Sequence, residues 1–264
     1  MKIAALAVAA LALLSAAPAP KNMPLTGTWV ADLDTQQGLP TDIYFLRDGT
    51  YRCESCVPQR HYPADGTLRV VSETPRVLEA VRVIDARTIS TRIVQPDLTR
   101  TTRMRVARDG QTATYVSTDH RAGIAGTLRT EYLARRTAPG PAGSHAVSGT
   151  WQGVRYVSVP VQLRTIILMD RGDRLSYRSG SGYSYSARYG GAYEPVSGPS
   201  DGGITVAVRR IDPYRVVETR RRGGDAVQVR TYTVASDGRS MEIATTDLIT
   251  DRTFRATSRR QRSR

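Results

Sequence analysis

Lysine is nearly missing from this 264-residue chain: of 38 basic residues only Lys2 and Lys21 are lysine, and the other 36 are arginine. Histidine occurs three times (His61, His120, His145), and cysteine, tryptophan and phenylalanine twice each. Three scattered histidines, read as loop or linker residues, leave little from which to build an imidazole acid–base or metal centre. G-x-S-x-G occurs once, as Gly198-Pro-Ser-Asp-Gly202, without the helical pattern that must follow a nucleophile elbow, and there is no H-E-x-x-H and no phosphate-binding glycine loop. The zinc proteases and P-loop enzymes that carry those motifs are thereby excluded, and nothing beyond the spacing marks a nucleophile-elbow hydrolase. The expectation is a non-enzyme, with no catalytic residue, no metal ligand and no cofactor. Beyond residue 17 no apolar run is long enough to span a bilayer, so no transmembrane segment is expected. No window outside the N-terminus repeats its apolar residues with the 3.6-residue period of a helix.

What the N-terminus holds is Met1-Lys2, an apolar stretch from Ile3 to Ala17, and small residues ahead of Pro18-Ala-Pro20. That is the form of a secretory signal peptide over 1–19, with cleavage near Ala17 or Ala19. It predicts a bacterial protein that is periplasmic or secreted. Against 24 acidic residues the arginines give a net charge of +14 and a pI near 10.3, which favours anionic partners such as polymers or lipid headgroups. The arginines are spread over the whole chain, whereas nucleic-acid binding asks for one basic patch. Nucleic acid is set aside as a partner, and the one basic cluster, Arg259 to Arg264, reads as a solvated tail.

The chain says nearly the same thing twice. Leu25-Thr-Gly-Thr-Trp29 is echoed by Val147-Ser-Gly-Thr-Trp151, the tryptophans being 122 positions apart. Arg82-Val-Ile-Asp85 returns as Arg209-Arg-Ile-Asp212, and Val106-Ala-Arg-Asp-Gly110 as Val234-Ala-Ser-Asp-Gly238, offset by 127 and 128. A period of this length is a domain duplicated whole, not a solenoid or propeller unit. Thr137 to Ala146, rich in proline, glycine and small residues, reads as the join. The expected organisation is repeat one over 20–137, a linker over 138–146 and repeat two over 147–264.

Within each copy the polarity alternates with period two, as in Thr99 to Val106, Thr112 to Thr118, Ile204 to Val208 and Val227 to Val234. Valine, isoleucine, threonine and tyrosine in alternation mark strands with one wet face, and Asp-Gly pairs between them mark tight hairpins. Asp85, Asp109, Asp212 and Asp237 recur at matching positions, where turn chemistry accounts for them. Each copy therefore reads as an antiparallel meander of eight or nine strands. A sheet that wide must close or fold into a sandwich to remove its edges. The hairpin order favours two tandem β-barrels, with two β-sandwiches as the alternative.

Gly27-Thr-Trp29 and Gly149-Thr-Trp151, each heading a meander, resemble the opening strand of lipocalins and related barrels. The resemblance implies that Trp29 and Trp151 close the barrel floors, with Arg135 or Arg136 in copy one and Arg259 or Arg260 in copy two packing across them. The segments Tyr193-Glu-Pro-Val-Ser-Gly198, Arg210-Ile-Asp212 and Val234 to Gly238, with Tyr51-Arg-Cys-Glu-Ser-Cys-Val-Pro58 in copy one, are similar to a group of exported bacterial β-proteins. That group brings no established activity with it.

Cys53 and Cys56 form the one cysteine pair, and in an exported chain an even count argues for a disulfide. Redox use of C-x-x-C needs a helix N-terminus to activate the thiol, and a metal site needs more ligands than His61 can add. Copy two carries instead a run from Tyr177 to Tyr193 that holds five of the 13 tyrosines. From it Tyr183, Tyr185, Arg188 and Tyr189 are the candidate ligand-binding residues, since aromatic rings and guanidinium groups together stack on and pair with small molecules. The functional expectation is an exported binder of a small apolar or amphipathic ligand, or an envelope interaction module. The alternatives are a binder of anionic envelope polymers or lipid headgroups, and an enzyme of unrecognised type. Filled barrel interiors would defeat the first.

Overall fold

The computed structural model describes residues 23–73, 76–198 and 203–261; the leader-like segment 1–19 and the last three residues lie outside them. Copy one contributes β1 (Gly27–Ala31), β2 (Thr41–Arg47), β3 (Thr50–Cys53), β4 (Arg60–Pro63), β5 (Arg69–Glu73), β6 (Arg76–Asp85), β7 (Thr88–Gln95), β8 (Leu98–Val106), β9 (Thr112–Arg121) and β10 (Leu128–Pro139). Copy two contributes β11 (Gly149–Ser158), β12 (Thr165–Asp170), β13 (Arg174–Ser179), β14 (Ser184–Arg188), β15 (Glu194–Pro195), β16 (Ile204–Asp212), β17 (Arg215–Arg222), β18 (Asp225–Val234), β19 (Ser240–Asp247) and β20 (Arg252–Arg260). Two short 3-10 turns, Leu33–Thr35 and Val161–Arg164, supply the helix found among the described residues, and none is long and apolar enough to cross a membrane.

The strands form two ten-stranded antiparallel sheets that curl into nearly closed barrels, so the all-β, two-barrel expectation holds and the sandwich alternative does not. Each copy supplies ten strands where the pattern suggested eight or nine. The seam of the first barrel lies between β4 and β5, where Gly66 N donates to Val81 O at 2.9 Å. In the second, bridges between Ser184 and Ser197 and between Tyr189 and Val208 span the same gap. The recurring aspartates do what turn chemistry requires: Asp85, Asp109, Asp212 and Asp237 each accept the backbone N–H two residues on at 2.8 Å.

The barrels do not follow the copies. β1 lies between β12 and β20 in the second sheet, and β11 lies between β10 and β2 in the first. The two copies have exchanged their opening strands. The first barrel is thus β2 to β11 in unbroken order, while the second is β12 to β20 completed by β1 from the far end of the chain. The segment 138–146 is accordingly a connection inside one sheet: β10 runs to Pro139, which pairs with Gly149. The chain passes from one sheet to the other at 32–40 and again at 159–164. A proline- and glycine-rich stretch looks the same in sequence whether it links domains or turns a long hairpin. Here Arg136 settles it, donating to Ser148 O and Ala146 O across the turn.

The crossing segments are packed tightly. A Cβ on Gly38, whose φ is +73°, would lie 2.0 Å from Thr253 O, and one on Gly180 would lie 2.0 Å from Gln162 O. Only glycine lets the two backbones approach this closely.

Each barrel is apolar at one end and polar at the other. Up the inner face of β9 run Ala113, Tyr115, Ser117, Asp119 and Arg121; up β8 run Met104, Thr102 and Arg100. In the second barrel β18 presents Val234, Tyr232, Arg230 and Gln228 in the same direction. The apolar ends form two cores, one including Leu46, Val81, Met104, Val147 and Trp151, the other Leu25, Trp29, Leu168, Val216 and Met241. Trp29 thus belongs to the core of copy two and Trp151 to that of copy one.

Candidate functional site

At the apolar ends, the floors, the two barrels are built alike. Trp29 Nε1 donates to Leu25 O at 2.9 Å and Trp151 Nε1 to Val147 O at 2.8 Å, so each buried indole satisfies its donor within its own turn. Arg260 stacks over Trp29 at 4.5 Å and Arg136 over Trp151 at 4.3 Å. Each arginine also binds carbonyls, Arg260 those of Thr26 and Pro24, Arg136 those of Gly110, Ser148 and Ala146. The contact implied by the lipocalin resemblance therefore exists, but each arginine covers the tryptophan of the other copy. Arg259 and Arg260 belong to β20 and not to a frayed tail.

The polar ends, the mouths, face each other. Between them lies a chamber of about 510 Å³, lined from the first barrel by Arg100, Tyr115, Ser117, Arg121, Tyr132 and Tyr156. Its other wall is Ala31, Leu33, Leu163, Arg164, Ser181 and Phe254, from the crossing segments and the second barrel. A second cavity of about 430 Å³ inside barrel two shares Ala31, Leu163, Arg164, Ser181 and Phe254 with the first. It continues past Tyr183, Ile166 and Ile243 to Arg220 and Arg230. Both barrels are filled at the floor and hollow at the mouth. The strand exchange creates the waist of this space, because both crossing segments pass through it.

Charge inside the chamber follows one scheme in each barrel, two guanidinium groups on one buried carboxylate. Asp119 accepts from Arg100 Nε at 2.6 Å, Arg100 Nη2 at 2.8 Å and Arg121 Nη2 at 2.9 Å. Burial alone would raise its carboxyl, but the two arginines outweigh it and hold it below the usual range. Glu218, fully buried, accepts from Tyr185 Oη at 2.6 Å and Tyr232 Oη at 2.7 Å, with Arg220 and Arg230 on its other oxygen. It too is held low against the opposing effect of burial, by Arg230, Arg220 and the two hydroxyls. Asp42, at the chamber wall, behaves oppositely. Burial lifts its carboxyl, and hydrogen bonds from Tyr132 and Tyr44 only partly offset this.

The residues singled out in sequence are not gathered here. Tyr183 lines the barrel-two cavity. Tyr185 is buried and committed to Glu218, and Tyr189 lies under Arg210 at 4.1 Å, away from the chamber. Arg188 is exposed on β14 opposite Arg174. Cys53 and Cys56 are joined in a disulfide, Cys53 lying in the core of barrel one. His120 is an exposed residue of β9 and not a loop histidine. His145 bridges to the barrel, its Nε2 donating to Asp85 O at 2.6 Å while Nδ1 accepts from Val147 N at 3.2 Å. Among the described residues no three His, Cys, Asp or Glu side chains gather to hold a metal. Arg100, Asp119, Arg121, Arg164, Glu218, Arg220 and Arg230 went unmarked in sequence. For all but Arg164, which lies in the turn Val161–Arg164, the signal was present: the strand parity that supplies core residues at the floor continues into arginine and carboxylate at the mouth. Compared with protein-family models, with curated proteins and with solved structures, the chain matches none of them.

Proposed function

We propose that the chain is a non-enzymatic binding protein that holds one small amphipathic molecule in the chamber between its barrels, and that it works outside the cytoplasm. The chamber carries the reading. Its volume lies within the roughly 300–1,000 Å³ of small-molecule sites, and its lining mixes tyrosine rings and aliphatic side chains with a few fixed polar groups. The disulfide and the leader-like N-terminus support an oxidising compartment.

The experiment is calorimetric titration with ten-carbon amphiphiles of neutral, cationic and anionic head, on the native chain and on Ser117→Trp. Ser117 lines the chamber and its hydroxyl bonds that of Thr102, at 2.9 Å, so an indole there fills the space without opening a strand pair. At least one amphiphile should bind, and Ser117→Trp should abolish it while the melting temperature holds. Binding by none of them, or binding indifferent to the tryptophan, sinks the proposal.

A further inference from the structure

Among the described residues, three guanidinium nitrogens of side chains that line this space are buried without a hydrogen-bond partner, Arg121 Nε, Arg164 Nε and Arg220 Nη2, as are Tyr115 Oη and Gln36 Oε1 of the same lining. Arginine cannot shed its charge, and a buried N–H left unmade costs stability. Arg121 is tied by Nη2 to Asp119 and its side chain is nine-tenths buried, so its orientation is fixed and its Nε stays unsatisfied. Arg164 is fixed from the other side, its Nη1 donating to Ala31 O at 3.1 Å. Both line the same chamber, one from each wall.

The charge balance points the same way. Arg100 and Arg121 share Asp119, Arg220 and Arg230 share Glu218, and Arg164 has no carboxylate partner among the described residues. Five guanidinium groups thus face two carboxylates. Even with Asp42 fully ionised, an excess of positive charge remains in a space with low-dielectric walls. Such a site favours an anion and disfavours a cation of equal size. The apolar lining is not evenly spread: Leu163 and Phe254 stand at the waist, and Ile166 and Ile243 lie beyond it in barrel two.

Resting on the reading of the chamber as a ligand site, we infer that it selects an amphipathic organic anion. Its carboxylate or phosphate is held by Arg121 and Arg164, and its apolar body passes the waist into the cavity of barrel two. The head is recognised by groups from both halves of the molecule. Arg121 comes from β9 of barrel one and Arg164 from the segment that carries the chain across to barrel two. A barrel of either copy alone could not assemble this pair.

The test is isothermal titration of the full chain with decanoate, decyl phosphate, decanol and decyltrimethylammonium, and with acetate and inorganic phosphate as heads without tails. The same series is run on Arg164→Gln, Arg121→Gln and Arg164→Lys, with circular dichroism to show that each is folded. Decanoate or decyl phosphate should bind at least roughly ten-fold more tightly than decanol, the worth of a charge-assisted hydrogen bond. Arg164→Gln should weaken the anions by roughly ten- to hundred-fold and leave decanol within about two-fold, while Arg164→Lys recovers part of the loss. Whichever of decanoate and decyl phosphate binds more tightly identifies the head. The inference is overturned if decanol matches the anions, if Arg164→Gln and Arg121→Gln leave anion affinity unchanged, or if acetate or inorganic phosphate binds as tightly as the amphiphiles. If no compound binds the native chain, it is the ligand-site reading itself that has failed.

Discussion

The floors of the two barrels and their mouths have diverged to different degrees. At the floors the indole, its backbone acceptor four residues earlier and the covering arginine recur almost distance for distance. At the mouths the scheme recurs but the residues do not. Asp119 reaches the first barrel's two arginines from β9, near the end of the strand, whereas Glu218 reaches the second barrel's pair from the middle of β17 with two tyrosines in support. Closure of the barrel tolerates little change, since a tryptophan of this size must be matched by the cavity around it. The mouths are free to differ because the space between them is not packed. What distinguishes the copies therefore gathers where a ligand would lie.

The largest effect should come from the floors, and it should appear in the opposite copy. Truncating a buried tryptophan to alanine costs about 3–5 kcal/mol. Trp29→Ala should cost that much, and hydrogen exchange should show lost protection in β12 and β20 of copy two, with β2 and β10 kept. Trp151→Ala should give the mirror result. Loss confined to the copy that carries the mutation would refute the strand exchange.

Next in size is a contrast between the mouths. Glu218→Gln leaves Arg220 and Arg230, 15% and 18% exposed, against a neutral group. Removing one partner of a buried ion pair costs roughly 3–5 kcal/mol. Asp119→Asn also leaves a buried guanidinium, Arg121 at 10% exposed, but Arg100, 38% exposed, can turn to water, so the loss should be smaller, about 2–3 kcal/mol. Guanidinium denaturation of the two variants should separate them, and equal losses would mean that the mouths are equivalent after all.

Smaller again, Arg136→Met and Arg260→Met each remove one ring contact and the hydrogen bonds to carbonyls at a partly exposed edge. Each should lower stability by about 1–2 kcal/mol. If the floors are alike, thermal melts should shift by similar amounts; a large difference between them would show that one floor is more than a closure.

The fold was legible in sequence to the extent that it is local. Alternation gave the strands, Asp-Gly gave the turns, and repetition of Gly-Thr-Trp gave two like units. The strand exchange was not legible, because β1 fits either barrel equally well: Gly-Thr-Trp is the same in both copies. The choice lies with the connections, the turn after Pro139 held by Arg136 and the close approach at Gly38, and neither has a sequence signature beyond glycine and proline. The candidate site was missed for a related reason. Clustered tyrosines on and beside β13 and β14 drew attention to one hairpin of one copy, whereas Arg121 and Arg164 converge only once two units are placed mouth to mouth. Tyr183 alone of the four marked residues reaches the cavities, because the inner face of that hairpin is otherwise closed by Tyr185 on Glu218.

The smallest effect lies within the first mouth, where two aspartates titrate in opposite senses. Asp119 is held below its usual value, so the stability it contributes is present above the unfolded carboxylate pKa of about 3.9 and is lost as the pH falls through its folded value. Asp42 is raised, chiefly by burial, so its native form holds a proton that the unfolded chain has released. Its contribution is full below about pH 3.9 and declines as the pH rises through its folded value. Denaturation midpoints followed from about pH 3 to pH 7 should therefore show a shallow fall on the alkaline side of pH 4 that Asp42→Asn abolishes. The acid-side loss should vanish in part with Asp119→Asn, at the expense of the plateau above it. A wild-type curve parallel to that of Asp42→Asn throughout would mean that Asp42 is hydrated in solution, and that the chamber is wetter and less selective for an anion than its walls imply.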